Sequence, residues 1–163
     1  MKKQSIEMNI LRFLLVFSII SIINLIRKLP VKDWLIIFLL KGVLSSVLDT
    51  FVVKKGYIKY PVTLLKSVNI SFGFDYLLYP ITCVYYNQIT KSSNIFGILI
   101  KALYFSIPMA VIEHFLEKKT DLIEFKKGWT SFTSFCTMTI TFLISRSIIA
   151  LVKKADNNLV PEN

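Results

Sequence analysis

The sequence predicts an all-α integral membrane protein, a bundle of five transmembrane helices, and three observations carry that prediction. Apolar residues fall in blocks of about 18–24, the length that crosses about 30 Å of hydrocarbon at 1.5 Å per residue. Across 163 residues the apolar share is 54% and the charged share 18%, with a mean hydropathy of +0.60, whereas a soluble domain is about a quarter charged. The lysines, finally, stand at the ends of the apolar blocks. A formal net charge of +10 on a soluble chain would suggest nucleic acid, but these cations form no continuous basic face. Their spacing is that of membrane-flanking loops, so no nucleic-acid partner is expected. The length fits a single domain.

The first block opens on the basic MKKQSIEMNILR and runs apolar over Phe13–Ile26, with the stop Arg27-Lys28-Leu29-Pro30 behind it. No small-x-small cleavage site follows, so an uncleaved helix over 10–29 is preferred to a removed signal. An N-terminal helix lying in the interface, leaving four spans, is the alternative. The second span, 31–53, carries Lys41 and Asp49 eight residues apart, roughly one helical face. Lys54-Lys55-Gly56-Tyr57 ends it with charge, a helix-stopping Gly and an interfacial aromatic. The third span, 68–86, is the most polar, with Asn69, Ser71, Gly73, Asp75 and Thr82, and Pro80 is expected to kink or break it. The fourth, 95–116, holds Lys101, Pro108 and Glu113; the fifth, 129–152, is rich in Ser and Thr and holds Arg146; a polar tail, 153–163, follows.

Orientation follows from the basic residues. Lys2, Lys3, Arg12, Lys54, Lys55, Lys59, Lys66, Lys118, Lys119, Lys126 and Lys127 share one side, and Arg27, Lys28, Lys32, Lys91, Lys153 and Lys154 the other. The richer side belongs inside, giving a cytoplasmic N-terminus and an exterior C-terminus. Lys54, Lys55, Lys118, Lys119, Lys126 and Lys127 are then expected to meet anionic headgroups, at about 1 kcal/mol each near the surface. The turns KKGY (Lys54–Tyr57) and KKGW (Lys126–Trp129) echo one another and read as one anchoring device used twice.

Six ionisable groups fall inside the spans: Lys41, Asp49, Asp75, Lys101, Glu113 and Arg146. Each costs about 2.5–3.5 kcal/mol at mid-membrane, so each must face the bundle interior, pair or snorkel. At 1.5 Å per residue, Asp49 and Glu113 lie about 6 Å from the inner end, where Lys55, Lys118 or Lys119 would satisfy them. Asp75 at about 12 Å and Lys41 at about 18 Å are expected to form a structural ion pair. Lys101 and Arg146, at about 24–26 Å with no acid at that level, read as snorkelling anchors. Cys83 and Cys136 differ in depth by about 14 Å, too far for a disulfide. One His, His114, beside Glu113 and ahead of Glu117, lacks the further ligands of a zinc site, and no phosphate loop or nucleophile motif occurs. Neither metal nor cofactor is expected.

Glu113, Thr120, Leu122-Ile123, Phe125 and Gly128-Trp129 together resemble the C-terminal signature of a family of small polytopic membrane proteins from spore-forming Gram-positive bacteria. In that family a Glu, a Thr-x-Leu-Ile and an aromatic-x-x-Gly-Trp precede the last span. Phe125 stands where the family has Tyr, and His114 where an aromatic is usual. The resemblance implies a bacterial plasma membrane and a link to sporulation, and no particular chemistry, since the family has no established activity. The leading functional expectation is a non-enzymatic accessory or structural membrane protein, tied together by its buried charges and meeting lipid, a membrane-protein partner or a second copy. The alternative is a small proton or cation transporter or channel subunit working through Asp75, Glu113 and Asp49, with Lys41 as internal counter-ion.

Overall fold

The computed structural model describes residues 2–26, 31–62 and 74–159. The expected helix bundle is formed. Its elements are α1 (Lys2–Ile26), α2 (Val31–Lys54), β1 (Ile58–Lys59), a π-helical turn (Phe74–Leu78) running into α3 (Tyr79–Thr90), α4 (Ile95–Lys119), β2 (Glu124–Phe125) and α5 (Ser131–Leu159). Four helices, α1, α2, α4 and α5, are long and apolar enough to cross a membrane. Large apolar side chains cover their outer faces, as on α1 (Phe13, Val16, Ile20) and α4 (Tyr104, Val111, Phe115). In water that exposure would be costly; against acyl chains it is the favoured surface.

Contacts define two ends. One end gathers the start of α1, the β1–β2 pair and the α4–α5 connection: the Glu7 carboxylate accepts the Asp121 backbone N–H at 2.7 Å. The other gathers the start of α2, the α3–α4 link and the late turns of α5: Lys153 pairs with Asp33, and Arg146 reaches the Thr90 carbonyl at 3.3 Å. The segment from Phe74 to Thr90 runs between these ends.

Several boundaries differ from those expected. α1 begins at Lys2, so the basic opening stretch is helical rather than a leader to the span. The third segment is described only from residue 74, so the expected start, with Asn69, Ser71 and Gly73, lies outside the described residues. It also persists to Thr90, because its polar end bonds into its own backbone: Asn87 Nδ2 donates to the Cys83 carbonyl at 2.9 Å and Thr90 Oγ1 to the Tyr86 carbonyl at 2.7 Å. Pro80 acts where expected, marking the junction at which the π-helical turn gives way to regular helix. α5 starts two residues later than predicted because Thr130 caps it, accepting the Thr133 N–H at 3.2 Å.

Two apolar clusters fill the bundle. Near the Lys153 end, Tyr86, Phe105 and Phe142 stack around one another, with Tyr86 and Phe142 centroids 5.4 Å apart; Ile37, Ile81 and Ala102 complete the cluster. At the opposite end Leu122 and Ile123 fold inward from the loop and pack with Leu11, Val52, Ile58 and Leu116. Cys83 and Cys136 are free thiols, as their depths required.

The two lysine-glycine-aromatic turns meet. Gly56, at φ 73°, is the left-handed residue closing α2, and its N–H and that of Tyr57 bond to the Val53 and Val52 carbonyls at 2.9 and 3.0 Å. That is the Schellman motif. Lys127 and Gly128, at φ 50° and 79°, are the central pair of a type I′ turn closed by Trp129 N–H on the Lys126 carbonyl at 2.9 Å. β1 then pairs antiparallel with β2, Ile58 against Phe125 and Lys59 against Glu124. Tyr57 lies 5.8 Å from Trp129, and Lys127 Nζ donates to the Lys55 carbonyl at 2.6 Å, where its charge complements the negative end of α2. The echo is therefore two different turns built from similar residues and locked together.

Candidate functional site

Beside this paired floor the bundle holds an open pocket with a cavity volume of about 70 Å³. Helical periodicity builds its walls. α2 contributes Lys41, Ser45 and Asp49 at spacings of four, and α5 contributes Ser134, Thr137, Met138 and Thr141 at spacings of three and four. α4 adds Glu113, the π-helical turn adds Asp75, α3 adds Tyr79, and Ile58, Tyr60 and Trp129 come from the floor. Three carboxyls and one ammonium thus share a single space.

Their hydrogen bonds are incomplete. Tyr60 donates to Asp49 Oδ1 at 2.6 Å, and Ser134 lies within hydrogen-bonding reach of Glu113. Trp129 Nε1 in turn donates to Ser134 Oγ at 2.8 Å. One oxygen on each of Asp49, Asp75 and Glu113 is buried with no hydrogen-bond donor among the described residues. Asp75 and Glu113 are only 3% and 6% exposed. A buried acceptor without a donor costs about 1–3 kcal/mol, more when charged, which a site retains for a ligand or a proton. The phenol of Tyr60, outside the spans, is pushed well above its ordinary range by burial first and then by the Asp75 and Asp49 charges, so it remains a donor.

The expected Lys41–Asp75 ion pair is not formed. Lys41 Nζ donates instead to Thr141 Oγ1 at 2.6 Å and sits over the Phe142 and Tyr79 rings at 5.4 and 5.9 Å. α5 offers the ammonium a hydroxyl and an aromatic face at the same depth, contacts that spacing along α2 and α3 could not reveal. Nor do the loop lysines satisfy the two inner acids. Lys118 pairs with Glu117 at 3.2 Å, Lys126 with Glu124 at 2.5 Å, and Lys55 lies over the Phe51 ring.

Lys101 and Arg146 are placed together, away from the pocket. Lys101 Nζ donates to the Ile89 carbonyl and to Ser93 Oγ, both at 2.8 Å. Arg146 reaches the Thr90 and Lys91 carbonyls. Both cations therefore cap the carbonyl end of α3. His114 bonds to Ser131 at 2.7 Å, and among the described residues no group of three His, Cys, Asp or Glu side chains is close enough to hold a metal ion.

The signature positions divide between scaffold and site. Thr120 Oγ1 donates to the Leu116 carbonyl at 2.6 Å and accepts from Leu122 N–H at 3.2 Å, ending α4. Leu122 and Ile123 plug the floor, Phe125 holds the β register and Gly128 makes the turn. Glu113 and Trp129 are joined through Ser134 at the pocket wall. Sequence reasoning missed Tyr60, Tyr79, Ser134 and Glu7. Tyr60 reads as an interfacial anchor until the Gly56 reversal brings it back to Asp49 eleven residues earlier.

Fold and site together define a polytopic membrane protein with an acid-lined pocket near one end of the bundle. No family model matches the chain, and neither does any curated protein or solved structure.

Proposed function

We propose that this protein is a small membrane carrier or channel subunit that takes a monovalent cation, an amine or a proton, into the pocket between α2, α4 and α5. One observation carries the reading: Asp75 and Glu113 are buried on the pocket wall, each with one carboxylate oxygen that no donor among the described residues reaches. Charges serving only as structural ties would be paired, and among the described residues neither of these has an ion-pair partner. Apolar and aromatic lining from Leu48, Val52, Met138, Tyr79 and Trp129 suits a cation with a hydrocarbon body, since ring faces attract ammonium groups. Lys41, held off by Thr141, is the internal counter-ion.

The sequence-stated setting is a bacterial plasma membrane with the lysine-rich end cytoplasmic; the basic count and the resemblance to the spore-former family support it. At that end Lys54, Lys55, Lys118, Lys119, Lys126 and Lys127 lie on or beside the paired loops, an observation that favours a second reading: an accessory protein anchored on anionic headgroups or a partner. Uptake of labelled methylammonium by proteoliposomes decides between them. Uptake by the wild type that Asp75→Asn or Glu113→Gln abolishes, with helicity unchanged, is the expected result. Uptake no faster than in empty liposomes overturns the carrier reading and leaves the accessory one.

A further inference from the structure

Asp49 hangs from α2 and Asp75 from the π-helical turn, and their carboxyls lie within hydrogen-bonding reach of each other. Asp49 Oδ1 takes the Tyr60 hydroxyl at 2.6 Å, while the Oδ2 atom of each residue is buried without a donor among the described residues. Two carboxylates this close in a low-dielectric site repel, and one proton between them turns the repulsion into a strong hydrogen bond. Among the described residues one cation, Lys41, faces two carboxylates and the further acid Glu113, and it bonds to neither member of the pair. Lys41, on α2, donates to Thr141; the floor and α3 present the phenols Tyr60 and Tyr79; α4 presents another acid, Glu113; α5 presents the hydroxyls of Ser134, Thr137 and Thr141 and the uncharged Met138. α1, packed against the π-helical turn, has Glu7 held by Asp121 N–H and Arg12 exposed.

We infer that Asp49 and Asp75 share a single proton, and that a monovalent organic cation entering the pocket displaces it, so that the site exchanges one proton for one cation. The exchange rests on the carrier reading; the shared proton does not. The step balances: the carboxyl O–H bond breaks, the proton leaves to water, and the pair's charge goes from −1 to −2 as the cation adds +1. Glu113, separated from the pair by the pocket, is left to position the cation's other side.

Two measurements on the purified full-length protein in detergent test it. The first is infrared absorption at neutral pH with ¹³C-aspartate incorporated. A protonated-carboxyl C=O band that moves with the aspartate label is expected, and its absence overturns the shared proton without any variant having to fold. The second is proton release in weak buffer on adding methylammonium chloride. About one proton per bound cation is expected, and none from Asp75→Asn. Binding without release overturns the exchange while leaving the carrier reading intact. No binding, with the labelled band present, overturns the exchange together with the carrier reading and upholds the shared proton.

Discussion

Lys41→Met separates a charge that ties the bundle together from one that serves the pocket. Lys41 is 4% exposed, makes one hydrogen bond, to Thr141 at 2.6 Å, and lies over two rings. A hydrogen bond from a charged group is worth about 2 kcal/mol, and two desolvated ring contacts add about 1 kcal/mol each. Removing the ammonium also removes its insertion cost, about 3 kcal/mol for a lysine well inside the membrane. Thr141 is not stranded, because its hydroxyl still donates to the Met138 carbonyl at 2.9 Å. The net loss is therefore about 1 kcal/mol, the difference of these terms. Unfolding by SDS titration from mixed micelles, followed by far-ultraviolet circular dichroism, measures it. Breaking a buried ion pair would instead cost about 3–5 kcal/mol by stranding the partner carboxylate. A loss of that size would refute the reasoning and restore Lys41 as a structural tie.

Tyr60 should titrate late. Its folded-state phenol is held well above the ordinary value of about 10, so it contributes stability fully present below about pH 10 that is lost as pH rises further. Spectrophotometric titration of Tyr60→Phe should remove a late-ionising tyrosine, and removal of an early one would contradict the burial. Gly128→Ala meets no atom within 4 Å, so its cost is conformational alone, about 1 kcal/mol. Gly56→Ala adds a contact at 3.2 Å with Lys127 Nζ and should cost more in the same unfolding assay; the reverse order would count against the two turn assignments. Lys59→Cys with Glu124→Cys, in a background without Cys83 and Cys136, should cross-link readily. Directly opposed antiparallel residues have Cα atoms about 4.5–5.5 Å apart, inside disulfide range; faster linking of Lys59→Cys with Phe125→Cys would mean a different register. The Lys153–Asp33 pair is part-exposed on both sides, so Lys153→Met should cost less than about 1 kcal/mol, and a larger loss, insensitive to salt, would mark the pair as buried.

How much of this was legible in the sequence varies with the range of the interaction. Helix positions follow from apolar block length, a local property, and the bundle was readable on that ground. Ends were less so. The third helix outlasts its apolar stretch because Asn87 and Thr90 satisfy themselves on their own helix, and polar residues near a span end normally read as the interface. Depth along each helix placed Asp49, Asp75, Glu113 and Lys41 in one half of the bundle, and Lys101 with Arg146 in the other, which is as observed. Depth fixes only one coordinate. Rotation of each helix about its axis decides partners, and it gave Lys41 to Thr141 rather than to Asp75.

The repeated lysine-glycine-aromatic turn shows the same limit and carries the last step toward function. Each copy taken singly is an anchor at a span end, which is all that local chemistry can say. Joined, they brace α2 against the loop between α4 and α5 through the β1–β2 pair and the Lys127–Lys55 contact. That brace brings Tyr60 under Asp49 and Trp129 against Ser134, and so sets the donor on Asp49 and the hydroxyl within reach of Glu113. Asp75 comes from elsewhere, the π-helical turn that ends at Leu78 just ahead of Pro80, and meets the brace only through Asp49. Loosening the floor should therefore disturb Asp49 and Glu113 directly, and Asp75 only through Asp49. A bundle that needed its charges only for cohesion would have no reason to set a phenol on Asp49 and an indole-held serine beside Glu113 while leaving one buried oxygen of each of the three acids without a donor among the described residues.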